Sequence, residues 1–294
     1  MVKQQRRSND ETDIPVRIYL KNMNLKNKYE TPVRIHLKNV YATLTLATIA
    51  ASVGGYAHMF STFISSGFMT FLSAIWVLIL LVFTPYDGKN QLQRLSLLGI
   101  FAFLTGCNLG PFLNLAVTIN PALVLQALLG ASVIFACFSL SALYAPDGHY
   151  LYLRGTLMSV LLTLIWVSIY NIFFGSQLLF KANLYIGLAV MCGFIVYDTQ
   201  FIVERARRGD MDYVMHSLNL FVDFVGVFWR LLMILTNKVI SYSIENGKHV
   251  QSPYYKYMIR EEFAMSPYPV IIDVQLTLYF FFSGGTEQEE EKKL

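Results

Sequence analysis

The sequence predicts an all-α, multispanning membrane protein with seven transmembrane helices, the last of them central. Three observations predict it. First, only 14% of the 294 residues are charged while 55% are hydrophobic, and mean hydropathy is +0.47; a soluble domain carries about 25% charged residues. Second, the charges gather at the two ends and in short gaps between long apolar runs, as in a chain that threads a bilayer repeatedly. Third, the seventh run carries polar residues at helical spacing, so one face must meet protein or a watery cavity rather than lipid.

Taking about 20 residues per crossing, the spans read Val40–Phe60, Gly67–Phe83, Leu95–Leu115, Ala122–Tyr144, Gly155–Phe174, Asn183–Glu204 and a more polar Tyr213–Thr236. Turn chemistry separates them. Thr84-Pro85-Tyr86-Asp87-Gly88 follows the second run and Ala145-Pro146-Asp147-Gly148 the fourth. Asn120-Pro121 breaks the third from the fourth, and the charged stretch Arg205–Asp212, with Gly209, joins the last two. Pro, Gly, Asn and Asp at such points terminate helices.

Residues 1–39 hold nine basic residues ahead of the first span. A nucleic-acid arm is the rival reading. The juxtamembrane position favours a cytosolic flank that touches the lipid surface, so the lipid bilayer is the expected partner and nucleic acid is not. The gaps after spans one and three lack Lys and Arg, whereas those after two, four and six carry Lys89 and Arg94, Arg154, and Arg205, Arg207 and Arg208. The N-terminus is therefore expected in the cytosol. No secretory signal precedes the first run, which is expected to remain as an anchor.

The organisation is then a basic N-terminal segment (1–39), a seven-helix domain (40–237) and an atypical tail (238–294), expected to be poorly ordered. Pro15–Asn22 recurs as Pro32–Asn39, a local duplication too short for a repeat architecture. The tail's apolar stretch, Tyr268–Phe282, is interrupted by Pro269, Asp273 and Gln275, and a charged run, Glu287–Lys293, follows. Cys107, Cys137 and Cys192 lie inside apolar runs without metal or disulfide spacing, and read as small buried residues.

Carboxylates within spans are the informative residues, because an ionised one at bilayer centre costs roughly 2.5–3.5 kcal/mol on insertion scales. Asp198 in span six and Asp223 in span seven stand out. The two spans are joined by a short turn and must run antiparallel, and the midpoint between the aspartates falls inside that turn. Both should therefore sit at one depth, on the order of 10 Å inside the boundary. Two carboxyls so placed can share a proton, since like charges repel strongly at low dielectric. His216, Asn219, Asp223, Gly226 and Arg230 follow steps of three or four and form the polar stripe of span seven. Arg230, near the far end, is expected to snorkel to the surface, and His58 to be interfacial. The bland alternative is a polar network that only fixes helix packing. A protease reading also presents itself: Tyr197-Asp198 matches one fragment of intramembrane aspartyl proteases. It fails at Phe221-Val222-Asp223-Phe224, where Gly-x-Gly-Asp is needed, and Pro121-Ala122-Leu123 precedes both aspartates instead of following them. The chain is therefore not expected to be an enzyme.

Several fragments in fixed order resemble the Bax inhibitor-1 family. They are Phe101-Ala102-Phe103-Leu104-Thr105-Gly106, Gly110-Pro111, Ser139-Leu140-Ser141-Ala142-Leu143-Tyr144, Asn171-Ile172-Phe173-Phe174-Gly175, Asn183-Leu184-Tyr185-Ile186-Gly187-Leu188, Val196-Tyr197-Asp198-Thr199-Gln200, Gly209-Asp210-Met211-Asp212-Tyr213 with His216, and Leu220-Phe221-Val222-Asp223-Phe224. The resemblance covers about His36 to Asn237. It implies a central last helix, residence in the endoplasmic reticulum membrane, suppression of cell death, and a proton-sensitive calcium leak channel or antiporter. The positions of Asp198 and Asp223 match its pH sensor and gate. Calcium and protons are then the ions handled, with calcium held only transiently by the two aspartates and no resident cofactor. Cell-death regulatory membrane proteins are the implied protein partners. A non-conducting membrane protein that restrains cell-death effectors is the alternative. Two departures stand out. Asn219 takes a place where family members often carry another aspartate, and the lysine-rich tail is reduced to Lys292-Lys293. Some bacterial relatives set a basic residue of the second span against the aspartates; here only Lys89 and Arg94 lie near in sequence.

Overall fold

The computed structural model describes residues 28–60, 68–87, 89–146 and 148–245. Seven helices run through them: α1 Thr31–Phe60, α2 Phe68–Phe83, α3 Gln91–Ile119, α4 Ala122–Tyr144, α5 Leu153–Phe174, α6 Gln177–Arg207 and α7 Tyr213–Glu245. Every expected span is a helix, and the protein is an all-helical, multi-pass membrane protein. Six of the helices are long and apolar enough to cross a bilayer. The shorter α2 has 16 residues, about 24 Å at 1.5 Å per residue.

Helix ends differ from the expected spans where burial extends the helix beyond the apolar run. α1 begins at Thr31 rather than Val40, and the second copy of the duplicated octapeptide is its first two turns. Val33, His36, Leu37 and Val40 are all buried there, which is the i, i+3, i+4, i+7 stripe of a packed helix face. α7 continues past Thr236 to Glu245, with Ile240 still buried. The first duplicate copy, Tyr268–Phe282 and Glu287–Lys293 lie outside the described residues.

α7 is the centre of the bundle. Its main neighbours are α6, α4, α1 and α3, and Trp229, Phe221, Leu218 and Val227 along it are fully enclosed. The encirclement is less complete than a ring of six, because α5 takes α6 as its main neighbour and α2 takes α3. The most intimate helix pair is α1 with α3. A Cβ on Gly54 would strike the backbone carbonyl of Phe103, and one on Gly106 that of Ala51. Small residues at both points let two backbones touch, the usual way membrane helices gain packing energy when lipid and protein are equally apolar. Gly106→Val is expected to force α1 from α3 and destabilise the bundle by about 1–3 kcal/mol. A thermal melt in detergent checks this; an unchanged midpoint would contradict the backbone contact.

The turn between α6 and α7 is built by local hydrogen bonds. The Gly209 amide donates to the Ala206 carbonyl at 3.2 Å and the Asp210 amide to the Arg205 carbonyl at 3.0 Å, with Gly209 at φ +97°. This is the Schellman arrangement, in which a left-handed glycine satisfies the last carbonyls of a helix. Asp212 then caps α7 by accepting from the Met215 amide at 3.2 Å. The result is a tight hairpin, and its two arms carry the aspartates.

Candidate functional site

Asp198 on α6 and Asp223 on α7 are both buried, at 3% and 0% exposure. The hairpin brings them to one level, and the Asp223 carboxyl faces the Asp198 carboxyl within hydrogen-bonding reach. The Cys192 thiol also lies close enough to act on Asp223. Neither Asp223 oxygen has any other hydrogen-bond partner among the described residues.

The residues after Asp198 hold its helix in place. Thr199 Oγ1 lies 3.1 Å from Ser139 Oγ on α4, and Ser139 lies 2.5 Å from the Tyr41 hydroxyl on α1. The Gln200 side-chain amide donates to the carbonyls of Ala142 and Pro146 at 3.3 and 3.0 Å, and its oxygen accepts from the Tyr150 amide at 2.8 Å. α6 is thus pinned to α4, α1 and the α4–α5 loop at the level of the carboxyl. On α7, Ser217 donates to the Val40 carbonyl at 3.0 Å, fixing that helix to α1.

The polar stripe of α7 is wholly interior. His216 and Asn219 are buried alongside Asp223. Arg230 does not snorkel: it is 2% exposed, with its Nε against Gly187 of α6, where any Cβ would collide with it. The missing side chain of Gly187 makes the space that the guanidinium fills. His58 is half-buried and packs on Gly110. Cys107 and Cys192 are buried, but Cys137 is exposed on the outer face of α4, contrary to the expected burial of all three.

A second cluster lies at the end of the bundle where α1, α3 and α7 begin and α6 ends. His36 Nε2 is 2.8 Å from His216 Nδ1. His216 Nε2 is 3.7 Å from Asp210 Oδ2, and Arg205 reaches the same oxygen at 3.9 Å. Arg94 of α3 forms an ion pair with Asp212 at 2.5 Å, with side-chain exposures of 3% and 12%. Arg94 is therefore engaged at the hairpin turn and not with the aspartate pair, and Lys89 is exposed. His36 was hidden in the basic flank, and its partner lies 180 residues away in the sequence. Only its place on the buried Val33–Val40 stripe points inward.

Residues 33–239 match the protein family described as "Inhibitor of apoptosis-promoting Bax1". The chain is 48% identical over 196 residues to a Homo sapiens protein named "Bax inhibitor 1", covering 67% of this chain and 83% of that one. It is 44% identical over 214 residues to the "Bax inhibitor 1" of Drosophila melanogaster, covering 73% and 87%. With the Arabidopsis thaliana protein of that name it shares 42% identity over 198 residues, covering 67% and 78%. The matched region takes in α6, the turn and α7 as far as Val239, with both aspartates, and on these grounds the chain belongs to the Bax inhibitor-1 family.

Proposed function

We propose that this chain is an endoplasmic reticulum membrane suppressor of cell death that passes calcium in a proton-dependent way, with Asp198 and Asp223 as sensor and gate. The observation that carries the reading is the pair of enclosed carboxyls facing each other across the hairpin. Two ionised carboxylates so close in a low dielectric repel, so one shared proton holds α6 and α7 together. Altering that shared protonation changes the repulsion and biases the hairpin between two positions. Family membership and the relatives' name support the cell-death role. The basic residues at one end support its assignment to the cytosolic side, which puts the N-terminus in the cytosol.

Calcium suits the site as a passing ion. Carboxylates are hard oxygen ligands, but calcium takes about 6–8 oxygens and two carboxyls supply at most about four. Among the described residues no group of three or more His, Cys, Asp or Glu converges to hold a metal. Transit therefore fits the residues better than storage. The test is calcium efflux from liposomes holding the purified protein, compared with protein-free liposomes. Efflux above background supports the leak. Its absence at every pH between about 5 and 8 removes the leak and leaves a membrane protein that restrains cell-death effectors by contact.

A further inference from the structure

We infer that His36 and His216 form a proton-operated latch between α1 and α7 at the basic end of the bundle. It rests on the proposed leak only for its effect on flux. A neutral imidazole has one N–H donor and one bare acceptor nitrogen, whereas an imidazolium has two donors and no acceptor. At 2.8 Å, His36 Nε2 and His216 Nδ1 need one donor and one acceptor between them. The other nitrogen of His216, Nε2, faces the Asp210 carboxylate at 3.7 Å. A carboxylate only accepts, so the N–H of His216 belongs on Nε2. Nδ1 is then the acceptor, and His36 Nε2 donates to it.

The link survives a first protonation and fails on a second. A proton taken up by His36 Nδ1 leaves its Nε2–H in place and the bond intact. A first proton on His216 Nδ1 is also tolerated, because neutral His36 can carry its hydrogen on Nδ1 and accept at Nε2; a second proton, one on each ring, sets two N–H groups against each other, and the bond is lost. The charged groups around the pair reinforce the outcome. Arg94 of α3 and Arg205 of α6 disfavour a second positive charge beside them, while Asp210 and Asp212 in the turn attract it. When both rings are charged they repel, and His216 is drawn to the turn and released from α1. Both histidines are enclosed, at 4% and 3% exposure, so little water stands ready to replace the lost bond. α7 is the helix that carries Asp223, seven residues or about 10 Å further along, so a change in its seating on α1 moves one wall of the carboxyl pair.

The test measures helix position rather than flux. Spin labels at Lys38→Cys on α1 and Arg208→Cys at the end of α6, both exposed sites, are introduced with Cys137→Ser to remove the exposed native thiol. Their separation is followed in the full-length protein in lipid from pH about 8 to about 4, reaching below the ordinary histidine range because a cation is costly on rings as enclosed as these. A single narrow distance that broadens or lengthens on acidification is expected. His36→Gln with His216→Gln, which cannot titrate, should abolish that change. A wild-type distance that is flat across the range overturns the latch without recourse to any variant. So does a pH step that persists unchanged in the double variant or in His36→Gln alone. The readout is independent of conduction. Absent calcium efflux with an intact distance step defeats the leak and keeps the latch; a flat distance with pH-dependent efflux does the reverse.

Discussion

Arg94→Ala is expected to lower the stability of the folded protein by about 3 kcal/mol, the low end of the range of roughly 3–5 kcal/mol for breaking a buried ion pair from one side. The low end applies because the Asp212 side chain keeps 12% exposure and so some access to water. The loss comes less from the attraction given up than from the Asp212 carboxylate left behind without its cation. Asp212 cannot simply turn away, because its other oxygen caps α7 through the Met215 amide. Asp212→Asn keeps a capping acceptor without the charge. Combining Arg94→Met with Asp212→Asn should therefore recover much of the loss. Chemical denaturation in detergent of wild type, the Arg94→Ala variant and the Arg94→Met, Asp212→Asn double checks both parts. A double variant less stable than Arg94→Ala would show that the pair acts through something other than stranded charge.

The second large effect is functional and concerns the singles of the aspartate pair. Asp198→Asn and Asp223→Asn should each flatten the pH dependence of calcium efflux as completely as the two together. Sharing a proton takes two carboxyls, so removing either ends the shared titration, and the effects cannot add. The size of the wild-type response is bounded as well. One proton governing an equilibrium changes it by at most about tenfold per pH unit, which is about 1.4 kcal/mol. Neither substitution should lower stability, since each removes a potential buried charge and keeps a side chain of nearly the same shape. Single variants that each retain half of the pH response would show two independent groups rather than a pair.

Most of the architecture was legible because it depends on local signals. Uninterrupted apolar runs locate the helices, and Pro, Gly, Asn and Asp mark the breaks at 84–88, 120–121 and 145–148. The Asp198–Asp223 level was legible for a geometric reason: a short turn makes a hairpin, and equal distances from it give equal depths. What depends on the facing helix was not legible. Arg230 looks like a snorkelling residue in its own sequence, and only Gly187 across from it makes room for burial. An apolar run does not say which side of α4 meets lipid, hence the misplaced Cys137. Arg94 and His36 read as cytosolic flank because charge beside a span usually is flank. Their pairing with Asp212 and His216 required α1, α3 and the hairpin to be assembled first. The helical start of α1 at Thr31 was missed for the same reason, since Arg34 and Lys38 hide a buried stripe behind their charge.

The role proposed for the enclosed carboxyl pair is to sense protons in a conducting protein. Its most direct test is calcium efflux from proteoliposomes between pH about 5 and 8, for wild type and for Asp198→Asn combined with Asp223→Asn. Wild-type efflux with a pH midpoint is expected, and a double variant that remains folded but loses that midpoint. A double variant that keeps the wild-type midpoint would contradict it, and would return the two aspartates to a structural role between α6 and α7.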